Sequence, residues 1–234
     1  MTDAVLAIDD LQGWYEDSHV LQGVSLDVKK GECVTIIGRN GAGKTTTLRA
    51  IMGLLDKRLG SIRVGGTETI KAASETIARL GVGYVPEERG IYASLDVTEN
   101  LLLPPRVAAG GMSIDEVYLL FPALRERRRS SGTRLSGGEQ QMLAIGRVLR
   151  TGATLFLLDE ATEGLAPVLV HQIGRAIETM KQRGNTLVLV EQNFRFAAKL
   201  ADRHFVMEHG RIVDVIARAD VPAQSGRIRA YLGV

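Results

Sequence analysis

The apolar positions of this chain fall into short runs of strand length, separated by stretches with helical spacing. Cys33–Ile37, Val82–Val85, Leu155–Leu158 and Leu187–Val190 are such runs. Runs of this kind, alternating with helices, read as strands of a largely parallel sheet in an α/β fold. Lys44–Met52, Pro167–Arg183 and Phe194–Ala201 have the spacing of covering helices. The last three apolar runs each end in a charged or polar group, at the sheet edge where open α/β folds bind ligands. Within the first 30 residues, Leu21–Val28 alternates apolar with polar and predicts an antiparallel edge piece.

From about Asp96 to Arg150 no strand is evident. Asp96-Val97-Thr98-Glu99 is an N-cap followed three residues later by glutamate, and Asp115–Leu120 and Glu139–Leu149 have helical spacing. This stretch, approximately 96–150, reads as a helical subdomain inserted in a single domain spanning 1–234. No internal repeat or low-complexity linker interrupts the chain.

Composition narrows the classes. At 234 residues the chain can bury a full core without staples. Its net charge of +2 offers no bulk attraction for nucleic acid. The one cysteine, Cys33, rules out an internal disulfide and fits a reducing compartment; inside an apolar run it reads as a small buried hydrophobe. The Met1-Thr2-Asp3-Ala4 start lacks the pattern of a signal peptide. No apolar run approaches the ~20 residues needed to cross a bilayer. A soluble intracellular chain, free to sit against a membrane protein, is the expectation.

The candidate chemistry begins at Gly38-Arg39-Asn40-Gly41-Ala42-Gly43-Lys44-Thr45, which matches GxxxxGK[ST] between a strand and a helix. Its glycines let successive backbone N–H groups converge on phosphate oxygens, and the following helix adds a favourable dipole. Lys44 is placed to reach the β- and γ-phosphates of ATP and Thr45 to set its hydroxyl on Mg²⁺, with Thr46 completing the nucleotide set. Downstream, the apolar strand Leu155–Leu158 ends in Asp159-Glu160. Successive strand side chains point oppositely, so the two acids take different tasks. Asp159 suits Mg²⁺, and Glu160 suits a general base toward the attacking water. Between these elements, Ser136-Gly137-Gly138-Glu139 forms a capping box with two glycines in the first turn, where each costs up to ~1 kcal/mol. Close approach of this helix start to a phosphate would offset that cost, and it makes most sense for a nucleotide held by another subunit.

The phosphate loop, Leu135–Gln141 (LSGGEQQ) and Asp159-Glu160, in this order, resemble the nucleotide-binding subunit of an ABC transporter over nearly the whole chain. The resemblance implies a P-loop NTPase core with the antiparallel piece and helical subdomain described above. It also implies ATP and Mg²⁺ as ligands, and a head-to-tail dimer in which the signature of one subunit closes over ATP on the P-loop of the other. Tyr15 resembles the aromatic residue that stacks on adenine, with Trp14 as its rival. Glu87 stands where the family has the Q-loop glutamine, and so becomes a candidate for both nucleotide and metal. Gln192 replaces the switch histidine and offers an amide hydrogen bond to the γ-phosphate. Ala166 replaces the D-loop aspartate.

VPEER at Val85–Arg89, FPALRERR at Phe121–Arg128, DEATEGLAP at Asp159–Pro167 and VEQN at Val190–Asn193 together resemble the LivF-type ATPase of branched-chain amino acid importers. That resemblance implies a sister ATPase or a second copy, two transmembrane permease subunits, indirectly a periplasmic binding protein, and a peripheral position on the cytoplasmic face of the inner membrane. Relatives in the same branch serve urea or short amides. The rival classes are a non-transport ABC ATPase with a mechanical or regulatory role, and a P-loop kinase, in which Ser136 would have no task.

Overall fold

The computed structural model describes residues 4–233. The chain opens with β1 (Ala4–Tyr15), β2 (Ser18–Lys29), β3 (Cys33–Ile37) and α1 (Lys44–Ile51). Next come β4 (Lys57–Val64), β5 (Thr67–Glu68), α2 (Ser74–Arg79) and β6 (Val82–Val85). Helices α3 (Val97–Leu102), α4 (Ile114–Leu120), α5 (Pro122–Glu126) and α6 (Gly137–Leu149) follow. The chain closes with β7 (Leu155–Asp159), α7 (Pro167–Gln182), β8 (Thr186–Val190), α8 (Phe194–Leu200), β9 (Arg203–Glu208), β10 (Arg211–Ala217) and α9 (Ser225–Leu232).

Two sheets form. One has the order β10-β9-β3-β8-β7-β6 and is parallel except for the β9/β10 pair. The other is antiparallel, β2-β1-β4-β5. The predicted edge piece is therefore half of a separate four-stranded sheet. Strands β4, β5, β9 and β10 escape the sequence reading. β4 and β10 each bury only one or two side chains, and Arg58, Arg63 and Asp214 break up their apolar positions.

The parallel strands are buried on both faces, and their side chains divide by period two. Leu155 and Leu157 of β7, with Val188 and Val190 of β8, join Leu48 of α1 and the antiparallel sheet in one core. Phe156, Leu158, Leu187 and Leu189 join α3–α8 in the other. Each fully buried Leu or Val contributes about 1.5–3 kcal/mol.

Residues 97–149 hold α3–α6. Asp96 caps α3, its side chain accepting from the Glu99 N–H at 2.8 Å while Glu99 Oε2 accepts from the Asp96 N–H at 2.8 Å. Arg150 ties the end of α6 to the neighbouring helices, donating to the carbonyls of Leu101 (2.8 Å) and Met112 (3.3 Å). No helix among the described residues is long and apolar enough to cross a membrane.

The start of α6 lies close to α7. A Cβ on Gly138 would come within 2.2 Å of Leu169 Cδ1, and one on Gly137 within 3.3 Å of the Arg89 guanidinium. Helix packing therefore accounts for the helix-breaking residue at position 138, which sequence reasoning ascribed to phosphate approach alone. Gly138→Ala is expected to destabilise the chain by about 1 kcal/mol, overpacking outweighing the gain in helix propensity. In a Leu169→Ala background the same change is expected to cost nothing. Chemical denaturation of the four chains of that cycle reads the difference.

His204 on β9 is fully buried; its Nδ1 lies 2.6 Å from Thr35 Oγ1, and its Nε2 has no hydrogen-bond partner among the described residues. Burial pushes its pKa down to about 4. Between pH 4 and 6.5 the unfolded chain binds the proton more readily than the folded one, so stability rises with pH across that window and is lost as pH falls through it. Asp159, Glu160 and Glu191, raised by burial, contribute with the opposite sign over the same range. His204 is therefore read by difference: from pH 7 to pH 4 the urea midpoint of the wild type is expected to lose ground relative to that of His204→Gln.

Candidate nucleotide site

The phosphate loop leaves β3 at Gly38 and enters α1 at Lys44. Gly38 has φ 156°, and a Cβ there would lie 2.2 Å from the Met207 carbonyl oxygen of β9. Gly43, the N-cap of α1, takes φ 107°. Glycine alone meets both demands. The loop is braced from below: Ala42 N–H donates to the Arg39 carbonyl (3.1 Å), and the Ala42 carbonyl accepts from Gly210 N–H (2.9 Å). Arg39 and Asn40 face outward. The Lys44 ammonium is folded over the loop, donating to the carbonyls of Gly38 (3.0 Å) and Arg39 (3.1 Å).

Two parallel neighbours deliver the rest. Thr45 Oγ1 donates to Asp159 Oδ1 at 3.0 Å, and Tyr84 of β6 donates its hydroxyl to Asp159 Oδ2 at 3.2 Å. Glu160 follows the strand with φ 45°. This left-handed conformation costs a non-glycine residue about 1–2 kcal/mol. A turn in the backbone, rather than simple strand alternation, thus parts the two acids. Gln192 Nε2 donates to Glu160 Oε2 at 2.6 Å. One residue earlier, the buried Glu191 accepts from Thr162 Oγ1 at 2.8 Å.

Asn40, Gly41, Gly43, Lys44, Thr45, Glu87, Glu160, Glu163 and Gln192 line one cavity of about 260 Å³. The carboxylates of Glu87, Glu160 and Glu163 lie within 4.8 Å of one another. Among the described residues lining the cavity, Lys44 is the one cation. Burial lowers the Lys44 pKa, while Glu160 and Asp159 oppose the shift. Burial pushes Asp159 up to about 6, with the Thr45 and Tyr84 hydrogen bonds holding it back. Glu160 rises to about 7, first through burial and then through the neighbouring Glu163 carboxyl; Gln192 opposes the rise. The site is short of positive charge. The Thr45 hydroxyl, the Asp159 carboxyl and Glu87 at the rim are hard oxygen donors of the kind that could hold a divalent cation.

Ser136 caps α6 as the pattern predicts, its hydroxyl accepting from Glu139 N–H (3.3 Å) and Glu139 Oε2 accepting from Ser136 N–H (2.7 Å). Ser136, Gly137, Gly138 and Glu139 are not among the residues lining the cavity. Tyr15 also lies outside it. The neighbouring Tyr15 raises the Arg49 pKa, and Arg49 pairs with Glu88 at 2.7 Å. Trp14 stacks on His19, with ring centroids 4.3 Å apart, and Lys57 lies over its ring. Ala166 is the N-cap of α7 and lacks the side-chain oxygen that an aspartate would supply there. Sequence reasoning missed Tyr84 and Glu163 as neighbours of the site. The one signal for Glu163 is its position three residues beyond Glu160.

The ABC transporter family profile matches residues 21–163. A high-affinity branched-chain amino acid transport ATP-binding protein, BraG, of Pseudomonas aeruginosa is 45% identical over 218 residues, covering 89% of this chain and 91% of the relative. A probable branched-chain amino acid transport ATP-binding protein, LivF, of Archaeoglobus fulgidus is 34% identical, covering 86% of this chain and 87% of the relative. A solved ATP-binding subunit of an ABC transporter superposes with a TM-score of 0.81 at 29% identity, covering 98% of this chain and all of that one. With its phosphate loop, acidic strand end and capped signature helix in place, the chain belongs to the ABC transporter family as an ATPase subunit of the LivF type.

Proposed function

We propose that this chain binds and hydrolyses ATP to energise a membrane importer of branched-chain amino acids. It would work from the cytoplasmic face of the membrane beside two permease subunits fed by a periplasmic binding protein. The observation that carries this reading is the convergence of Lys44, Thr45, Glu160 and Gln192 on one cavity, with Asp159 bonded to Thr45 behind it, while Ser136–Gly138 are not among its lining residues. A signature helix start that does not line the cavity of its own phosphate loop is free to serve a nucleotide on a second subunit. Two such chains, or this chain and a sister, therefore pair head to tail with ATP between them. A P-loop kinase would leave Ser136 and its helix start unused.

In this reading the backbone N–H groups of the loop hold the phosphates, and Lys44 exchanges its bonds to the Gly38 and Arg39 carbonyls for phosphate oxygens. Thr45 and Asp159, with Glu87 at the rim, would hold Mg²⁺, which would supply the positive charge that the carboxylate-rich cavity lacks. Glu160 accepts the proton of the attacking water. Gln192 bonds to Glu160 and presents its amide where the γ-phosphate lies; it cannot shuttle a proton. Tyr15 meets the adenine from the edge of the antiparallel sheet. Closure needs ~5.5 kcal/mol of differential affinity to move from mostly open to mostly closed. Several charge-assisted hydrogen bonds of ~1.5–3 kcal/mol each supply it.

Lys44→Ala is expected to weaken binding of a fluorescent ATP analogue at least tenfold. Glu160→Gln is expected to keep wild-type ATP binding while losing at least a hundredfold in hydrolysis. Unchanged ATP affinity in the first variant, or normal turnover in the second, would remove those residues from their roles. Cargo is read by uptake: proteoliposomes holding the complete complex are expected to accumulate labelled leucine, isoleucine or valine in an ATP-dependent manner. Uptake of urea or a short amide instead would overturn the amino acid assignment.

A further inference from the structure

Glu191 and Thr162 have no part in the reaction as described, yet they sit directly behind it. Glu191 is 3% exposed and Thr162 6%. Their hydrogen bond, Thr162 Oγ1 to Glu191 Oε2 at 2.8 Å, joins the loop after β7 to the loop after β8. A second cross-link spans the same two loops at the surface, from Gln192 Nε2 to Glu160 Oε2 at 2.6 Å. A backbone bond from Glu160 N–H to the Val190 carbonyl, 2.9 Å, forms a third. Between these links Glu160 is held at φ 45°, a conformation that a non-glycine residue leaves unless its surroundings impose it. The other carboxyl oxygen of Glu191, Oε1, has no hydrogen-bond partner among the described residues. A buried carboxyl with half its acceptors unused is costly to keep. Apolar packing alone would be better served by leucine or methionine.

We infer that Glu191 is a positioning residue for hydrolysis, its bond to Thr162 locking the two loops so that Glu160 keeps its left-handed turn and its carboxylate stays against Gln192. The inference rests on the base role proposed above for Glu160. Because Glu191 is buried behind the cavity and is not among the residues lining it, its loss is expected to leave nucleotide binding alone and to lower the fraction of sites with Glu160 in place.

The test compares near-isosteric replacements in the full chain assembled with its permease subunits. In Glu191→Gln the amide oxygen still accepts from Thr162, and at least half of the wild-type kcat is expected. Glu191→Met has similar bulk but no strong acceptor, and kcat is expected to fall about tenfold with KM for ATP within twofold of wild type. Thr162→Ser and Thr162→Val repeat the comparison from the donor side, and decide the matter if the methionine variant does not fold. Equal kcat in the Gln and Met variants, whether both high or both low, overturns the inference, as does a loss carried by KM rather than kcat. Glu160→Gln is measured alongside. If it abolishes turnover while Glu191→Met does not, the base role stands and the positioning role falls. If it turns over normally, both fall.

Discussion

Ile36, Val190 and Asp159 lie in one row across three parallel strands, β3, β8 and β7. Parallel strands run in the same direction, so whatever follows them in sequence emerges at the same edge of the sheet. The phosphate loop follows the first of these strands, Glu191-Gln192 the second and Glu160 the third. Segments more than a hundred residues apart thereby share one cavity without any of them having to reach far. The row holds because both faces of the sheet are buried: Leu155 and Leu157 are committed to one core, Phe156 and Leu158 to the other. A slip of one residue would invert that division.

What gathers at this edge is electrostatically lopsided. Carboxyl groups crowd around a single lysine, and burial pushes two of them well above the usual carboxylate range. The Mg²⁺ proposed for this site would supply the positive charge that the carboxyl groups leave lacking. The strain in the Glu160 backbone points the same way. Its φ of 45° is held by bonds from the neighbouring loop, so the geometry of the reacting edge depends on residues one layer behind it.

Much of this was legible in the chain. The GxxxxGK[ST] loop, the apolar strands ending in acid, and the capping boxes at Asp96 and Ser136 are local patterns whose chemistry does not depend on distant residues, and each appears where the spacing places it. The strands that escaped, β4 and β10, are half-exposed and charged, and only pairing with neighbours makes them strands. Gly138, expected at a phosphate, also has a packing reason within the chain, since Leu169 of α7 fills the space a side chain would need. Tyr15 carries an aromatic ring in the expected segment, but it lies outside the cavity of the phosphate loop.

The amino acid sequence by itself determined the local elements, the nucleotide chemistry and the family, because a phosphate loop or a helix cap is a matter of neighbouring residues. Tertiary structure alone decided which of the acids share a cavity. It also set Glu160 in a left-handed turn, joined Thr162 to Glu191, and left the Ser136 helix start out of the cavity lining. Those facts depend on strand order, register and burial, which are properties of contacts between segments distant in sequence.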